Sequence, residues 1–410
     1  MASHAQAISP PRVRRSSIAS WVLYDLANTI FSLNITSLYF SLWVINEMGG
    51  TETLYARANA VATGLLLLAA PVLGSLSDQA PRRMPFLIVS TLTCVTSTLL
   101  LGVGGLLVSL VFFVVASFFY QAGLIFYDAL LPEVSTEENR GRVGGLGVGI
   151  GYFGSIIGIG TGYLLLPEDP VAADYITVFR TTAVLFLIFA IPAFLFVRER
   201  PRRARRWGVD AVKNSLTETR QTLSRAGRYS GLRRFLLGRV FYAEAANTLI
   251  LFMGVYVTNE LGFSSGQAQL VLFIGIVAAI VGGLCSGVIV DRVGPKRSLD
   301  LVLLLWMVVL ATAMAIPLLG LPSQLFWGVA AMAGVALGGT WGSDRPYMLR
   351  LSPPRYLGQF YGLYAMVGRF AAIFGPLLWG FIVDTLKLGR PAALAALLVL
   401  VLISFAILRG

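Results

Sequence analysis

Two six-residue stretches set an acid and an amide one helical turn apart inside apolar sequence: Asp25-Leu26-Ala27-Asn28-Thr29-Ile30 and Glu244-Ala245-Ala246-Asn247-Thr248-Leu249. Residues three apart share a helix face, so each stretch offers a carboxylate beside an amide. In a bilayer an ionisable side chain costs roughly 2.5–3.5 kcal/mol on insertion scales and marks a functional position by default. A carboxyl group that is dehydrated in one state of a cycle can load a proton on one side and release it on the other. Further polar residues within apolar runs are Asn34, Gln121, Asp128, Asp344, Arg345 and Arg369. These are binding and ion-pairing groups. The single histidine, His4, lies in a polar tail, and Cys94 and Cys285 stand alone and far apart. That leaves no metal spacing and no histidine-based triad or proton relay. No enzyme, cofactor or metal site is expected.

The elements that carry these residues are membrane spans. Of the 410 residues, 56% are hydrophobic and only 13% charged, and mean hydropathy is +0.77. A soluble domain carries about 25% charged residues. With about 20 apolar residues needed per spanning helix, twelve candidates follow: 18–46, 54–77, 84–105, 108–131, 143–166, 178–197, 235–259, 267–290, 298–319, 324–347, 357–383 and 391–408. The chain is read as all-α and polytopic. Residues 1–197 form an N-terminal six-helix bundle, 198–234 a basic linker and 235–410 a C-terminal six-helix bundle. The polar, basic start of the chain followed by a long apolar run is not a cleavable signal peptide.

Charge is distributed by loop. The linker holds 12 Lys/Arg against 3 Asp/Glu, so it carries +9 of the chain's +12. This is a positive-inside signal and a contact for anionic lipid headgroups, and not a nucleic-acid surface. Val209, Val212, Leu216, Thr219 and Leu223 fall at helical spacing within it, consistent with an interfacial amphipathic helix or with a solvated basic linker. Arg12, Arg14, Arg15, Arg82, Arg83, Arg140, Arg142, Arg292, Lys296, Arg297, Arg350 and Arg355 fall in the tail and loops on the linker's side. The opposite loops carry Glu47, Glu52, Glu168, Asp169, Asp174 and Glu260 with few bases. Both termini are expected in the cytoplasm, in a cell (inner) membrane protein acting as a monomer on a small-molecule solute.

Gly74-x-x-x-Asp78 with Arg82-Arg83, and Gly287-x-x-x-Asp291-Arg292 with Lys296-Arg297, recur at one offset, since 287 − 74 = 213 and 291 − 78 = 213. This resembles the signature loop of the major facilitator superfamily. With Tyr24-Asp25-Leu26-Ala27-Asn28, Leu131 to Gly154 and Leu351 to Arg369, the chain resembles the vacuole-effluxer family, the autophagy-linked amino-acid exporters and their bacterial relatives. The resemblance implies a twelve-helix secondary transporter whose helices one, four, seven and ten line a central cavity. For the fungal members it implies amino-acid export. Gly149-Ile150-Gly151-Tyr152-Phe153-Gly154 formally matches a dinucleotide fingerprint, but it sits in an apolar helix with no strand before it. With Gly158 and Gly162 it reads as small-residue helix packing.

The expected roles follow. Asp25, Asn28, Asn34, Gln121, Asn247 and Arg369 bind solute; Glu244, with Asp25, carries the coupling proton. Asp78, Arg82, Arg83, Asp128, Arg142, Asp291, Arg292, Arg297, Asp344 and Arg345 gate, with Asp128 and Arg345 as a pair near the cytoplasmic end. Asp25 and Glu244 lie about ten residues, or ~15 Å, into their helices, near the midplane. The competing roles are structural: the acids pair with Arg239 or Arg369 to pin the halves. The competing functions are cation-coupled sugar symport, lipid or lysolipid flipping, and a receptor or scaffold.

Overall fold

The computed structural model describes residues 14–202 and 230–409; the amphipathic stretch expected at 207–223, and His4, lie outside them. Among the described residues the regular structure is helical, with no strand. Twelve long helices follow in order: α1 (Arg15–Glu47), α2 (Glu52–Gln79), α3 (Met84–Leu99), α4 (Gly105–Ala129), α5 (Arg140–Leu165), α6 (Ala172–Phe196), α7 (Ser230–Asn259), α8 (Ser265–Val293), α9 (Pro295–Leu318), α10 (Phe326–Leu351), α11 (Leu357–Gly380) and α12 (Arg390–Arg409). Eleven are long and apolar enough to cross a membrane, and α3 is a shorter apolar helix of 16 residues. The expected third span reached 105. The helix stops earlier because Gly102, Gly104 and Gly105 take positive φ in the turn to α4, where a side chain would be strained.

Helix ends follow local chemistry. The Thr51 hydroxyl accepts the Leu54 N–H at the start of α2. Ser264 and Gln267 form a reciprocal capping box at the start of α8. Asp174 accepts the Val171 N–H at the start of α6. Helix α1 has π-helical stretches at Ser32–Leu38 and Trp43–Glu47; such segments cluster at functional sites, and the first begins above Asp25. The outside is apolar, with Leu68, Leu107 and Leu195 about 70% exposed, while Asp25, Asp128, Arg239, Glu244 and Asp344 are buried. Charges inside and leucines outside is the membrane arrangement.

Helices α1–α6 and α7–α12 meet mainly along two seams, α2 against α11 and α5 against α8, with α5 also touching α10 and α4 touching α11. Small residues set how close the seams come. A Cβ on Gly145 would lie 2.5 Å from the Gly283 carbonyl and 2.7 Å from the Gly287 Cα. On the other seam a Cβ on Gly74 would strike the Gly358 backbone. The glycine row of α5 divides by face. Gly141, Gly145 and Gly149 meet α8, whereas Gly147, Gly151, Gly154, Gly158 and Gly162 meet α1. The fingerprint-like run is therefore packing surface.

A bulky residue in the α5–α8 seam should cost about 1–3 kcal/mol of overpacking, paid only in the state that closes it. Gly145→Val is expected to leave yield and helical content near wild type while lowering transport rate about tenfold. Transport assayed in proteoliposomes checks it, and an unchanged rate contradicts a seam that closes in the working cycle.

Candidate functional site

At the end of the bundle where α1 begins and α12 ends, each half reaches into the other. Asp78, at the end of α2, accepts the N–H groups of Gly358 (2.9 Å) and Gln359 (2.8 Å) in the first turn of α11. Asp291, at the end of α8, accepts those of Gly141 (2.7 Å) and Arg142 (3.1 Å) in the first turn of α5. A helix N-terminus leaves its first N–H groups unpaired and presents the positive end of its dipole, so a carboxylate fits it. Arg83 holds Asp78 at 2.5 Å and Arg202 approaches it at 3.5 Å; Arg142 Nε lies 3.3 Å from Asp291. Glu199 accepts from the backbone N–H of Arg83 and Met84 and from Arg202, which ties the linker's start to the first latch. Arg82, Arg292 and Arg297 are exposed.

Between the halves lies a cavity of about 370 Å³ lined from α1, α4, α5, α7, α10 and α11. Its lower part is an ion-paired floor. Arg345 of α10 pairs with Asp25 of α1 at 2.9 Å and with Asp128 of α4 at 3.4 Å, bridging the two halves. Beside it Arg239 of α7 pairs with Asp344 of α10. Asp344 also accepts from the hydroxyls of Tyr242 (3.2 Å) and Tyr364 (2.9 Å). The Tyr364 ring stacks 3.5 Å from the Arg239 guanidinium, a cation–π contact that offsets desolvation. Gly147 and Gly151 make room for Asp25, because a Cβ on either would come within 3.3–3.4 Å of its carboxylate. Thr29, Ser32, Gln121, Asn247 and Arg369 supply the remaining polar lining; Tyr120, Tyr152 and Trp341 supply aromatic wall.

Four of the six residues expected to bind solute line this cavity: Asp25, Gln121, Asn247 and Arg369. Asn28 is buried, with both amide atoms lacking a hydrogen-bond partner among the described residues, and is not in the lining. Asn34 donates to Thr182 of α6 at 2.9 Å, inside the N-terminal bundle. Glu244 is 1% exposed, is also outside the lining, and faces α11, where a Cβ on Gly375 would lie 2.5 Å from its Oε1. The sequence echo between Asp25 and Glu244 is thus not a spatial match. Cavity residues of α1 and α7 correspond at nearly one offset: Asp25 with Arg239 (239 − 25 = 214), Thr29 with Ala243 (243 − 29 = 214) and Ser32 with Asn247 (247 − 32 = 215). Glu244 stands 219 after Asp25. Five extra residues turn it about 140° around the helix at 100° per residue.

Arg345 and Asp128, expected as a pair, do meet, and Asp25 joins them. Arg239 pairs with neither Asp25 nor Glu244, the structural alternative for those acids; its partner is Asp344. Sequence reasoning did not find the lining roles of Tyr120, Tyr152, Trp341 and Tyr364. Aromatic residues in apolar helices look alike whether they face lipid, core or cavity.

Two helical bundles joined by reciprocal carboxylate latches around a charged cavity are the arrangement of a membrane transporter. The family model of the Major Facilitator Superfamily matches residues 25–376, and the chain belongs to that superfamily, whose members carry solutes and are not enzymes. The chain is 29% identical over 377 residues to the MFS-type transporter YxiO of Bacillus subtilis (strain 168), covering 88% of this chain and 86% of that one. It is 26% identical to Autophagy-related protein 22 of Coccidioides immitis (strain RS), over 62% of this chain and 46% of that one. Among solved structures, a bacterial homologue of the iron transporter ferroportin in the outward-facing state superposes with a TM-score of 0.75 at 15% identity, covering 97% of this chain and 99% of that one. The transporter FucP in the outward conformation superposes with a TM-score of 0.72 at 16% identity, covering 96% and 97%.

Asp78 touches helix ends and arginines at the latch and is not part of the cavity lining. Asp78→Asn, which removes the charge that faces the α11 dipole, should lower transport rate about tenfold while leaving solute affinity within about twofold. Rates and binding constants measured on the same purified protein decide it. A normal rate with tenfold weaker binding would contradict the latch role.

Proposed function

We propose that the chain is a proton-driven exporter of amino acids or closely related small polar metabolites, working as a monomer in the cell membrane. Its termini and basic linker face the cytoplasm, and the linker rests on anionic lipid headgroups. The observation that carries the reading is the cavity between the halves, which presents carboxylates and guanidinium groups together. Such a site suits a solute that is charged at both ends. The resemblance to the vacuole effluxers, and the relative named Autophagy-related protein 22, support amino acids as the class. The Lys/Arg asymmetry of the loops supports the orientation.

In this reading the latched end is the cytoplasmic one, and the described conformation is closed toward the cytoplasm. Export requires the latches at Asp78 and Asp291 and the Arg345 bridge to open, the cavity to load from inside, and the seams to close again behind the solute. Glu244 stands apart from the lining, so proton and solute have separate places. A proton taken up there travels inward as the solute travels outward, and coupling operates through the packing of α7 on α11.

The test is transport in proteoliposomes under an imposed pH gradient, after screening purified protein for thermal stabilisation by amino acids, sugars, nucleosides and lipids. Amino acids are expected to stabilise the protein and to move against the proton gradient. Glu244→Gln should abolish pH-driven accumulation yet keep binding and counterflow exchange; accumulation by this variant would overturn the coupling role. A cysteine at position 205 should stay unlabelled by an impermeant reagent in intact cells while one in the 168–174 loop reacts. The reverse pattern would overturn the orientation.

A further inference from the structure

The charged groups of the cavity do not balance locally. At the floor two carboxylates, Asp25 and Asp128, share the single guanidinium of Arg345, leaving −2 + 1 = −1. Arg239 and Asp344 cancel within their own pair. Arg369 lines the same cavity and has no ion-pair partner among the described residues. It lies twelve residues into α11, about 18 Å from the latched end at 1.5 Å per residue. By the same measure Arg345 lies six residues from the end of α10, about 9 Å, Asp128 one residue from the end of α4, and Asp25 ten residues into α1, about 15 Å. The cavity therefore carries a surplus negative charge at its floor and a surplus positive charge higher up, with Gln121 and Asn247 as neutral hydrogen-bonding groups.

In a medium that excludes water an uncompensated charge is costly, and it is relieved by a ligand group of opposite sign. We infer that the cavity binds a zwitterion in one orientation, with its carboxylate on Arg369 and its ammonium on the Asp25–Asp128 pair beside Arg345. This rests on the amino-acid reading above and assigns its subsites. A zwitterion brings both surpluses to zero. An organic anion would neutralise Arg369 and leave the floor at −1. An organic cation would do the converse, and a sugar would relieve neither. Arg369 is thus the residue that separates free amino acids from their carboxyl-blocked forms, and Asp128 one that separates them from their amino-blocked forms.

The experiment compares one stabilising amino acid with its N-acetyl derivative and its carboxamide, by binding to the purified full-length protein. Wild type should bind the free amino acid at least about tenfold more tightly than either blocked form. Arg369→Gln should lose that preference over the carboxamide, whereas Arg369→Lys, which keeps the charge, should retain it and serve as the folding control. Asp128→Asn leaves Asp25 and Arg345 as a neutral pair, so the variant should bind the N-acetyl anion at least as well as the free amino acid. Equal binding of all three forms by wild type, or wild-type discrimination in Arg369→Gln, would overturn the subsite assignment while leaving an amino-acid exporter standing. Stabilisation by sugars or nucleosides and by no amino acid in any form would remove the exporter reading itself, and the subsites with it.

Discussion

A guanidinium shared by two carboxylates across the gap between two helical bundles is the interaction on which this structure turns. Arg345 comes from α10; Asp25 and Asp128 come from α1 and α4. Buried charges of this kind add little net stability, because desolvation consumes most of the Coulombic gain, yet removing one partner is expensive. Such a bridge is poorly suited to holding a protein together and well suited to making one arrangement of two rigid bodies distinct from another. The surrounding contacts support that role. Tyr364 hydrogen-bonds Asp344 and stacks on Arg239, so the neighbouring Arg239–Asp344 pair is held within its own bundle. The bridge, by contrast, joins the bundles.

The two latches follow the same logic by a different route. Each uses a carboxylate against the unpaired N–H groups of a helix start in the other half, Asp78 on α11 and Asp291 on α5. Hydrogen bonds from N–H groups to a carboxylate are charge-assisted and strong, and at a helix end water can take their place. Glycine seams between α5 and α8 and between α2 and α11 bring the backbones near enough for the carboxylates to reach. Close packing and capping are thus one device: the first sets the separation at which the second can form.

The position of Glu244 shows how pattern and place part company. Its six-residue stretch repeats that of Asp25, yet the helix turns it toward Gly375 and gives Arg239 the place opposite Asp25. Asn247 of the same stretch does reach the cavity. One helix therefore carries a cavity-facing amide and a separate buried acid, and the N-terminal copy is arranged otherwise. Asn28 is buried away from the lining, and Asp25 faces it.

Much was legible from residues alone. Hydropathy and charge determine a polytopic all-α protein because apolar spans of bilayer length have few other ways to satisfy their backbone. The paired Gly-x-x-x-Asp loops and the intramembrane charges could be named because polar groups in apolar sequence stand out. The partners of those charges were beyond the sequence. Asp25 meets Arg345 across 320 residues and Arg239 meets Asp344 across 105, and each pairing depends on the rotation and depth of two helices together. A shift of five residues moves a side chain about 140° around its helix, which spacing within a single helix does not reveal. Which acids face the cavity, which arginine bridges the halves and which lines the cavity without an ion-pair partner among the described residues were decided by tertiary packing, because only there do helix rotations become fixed relative to one another.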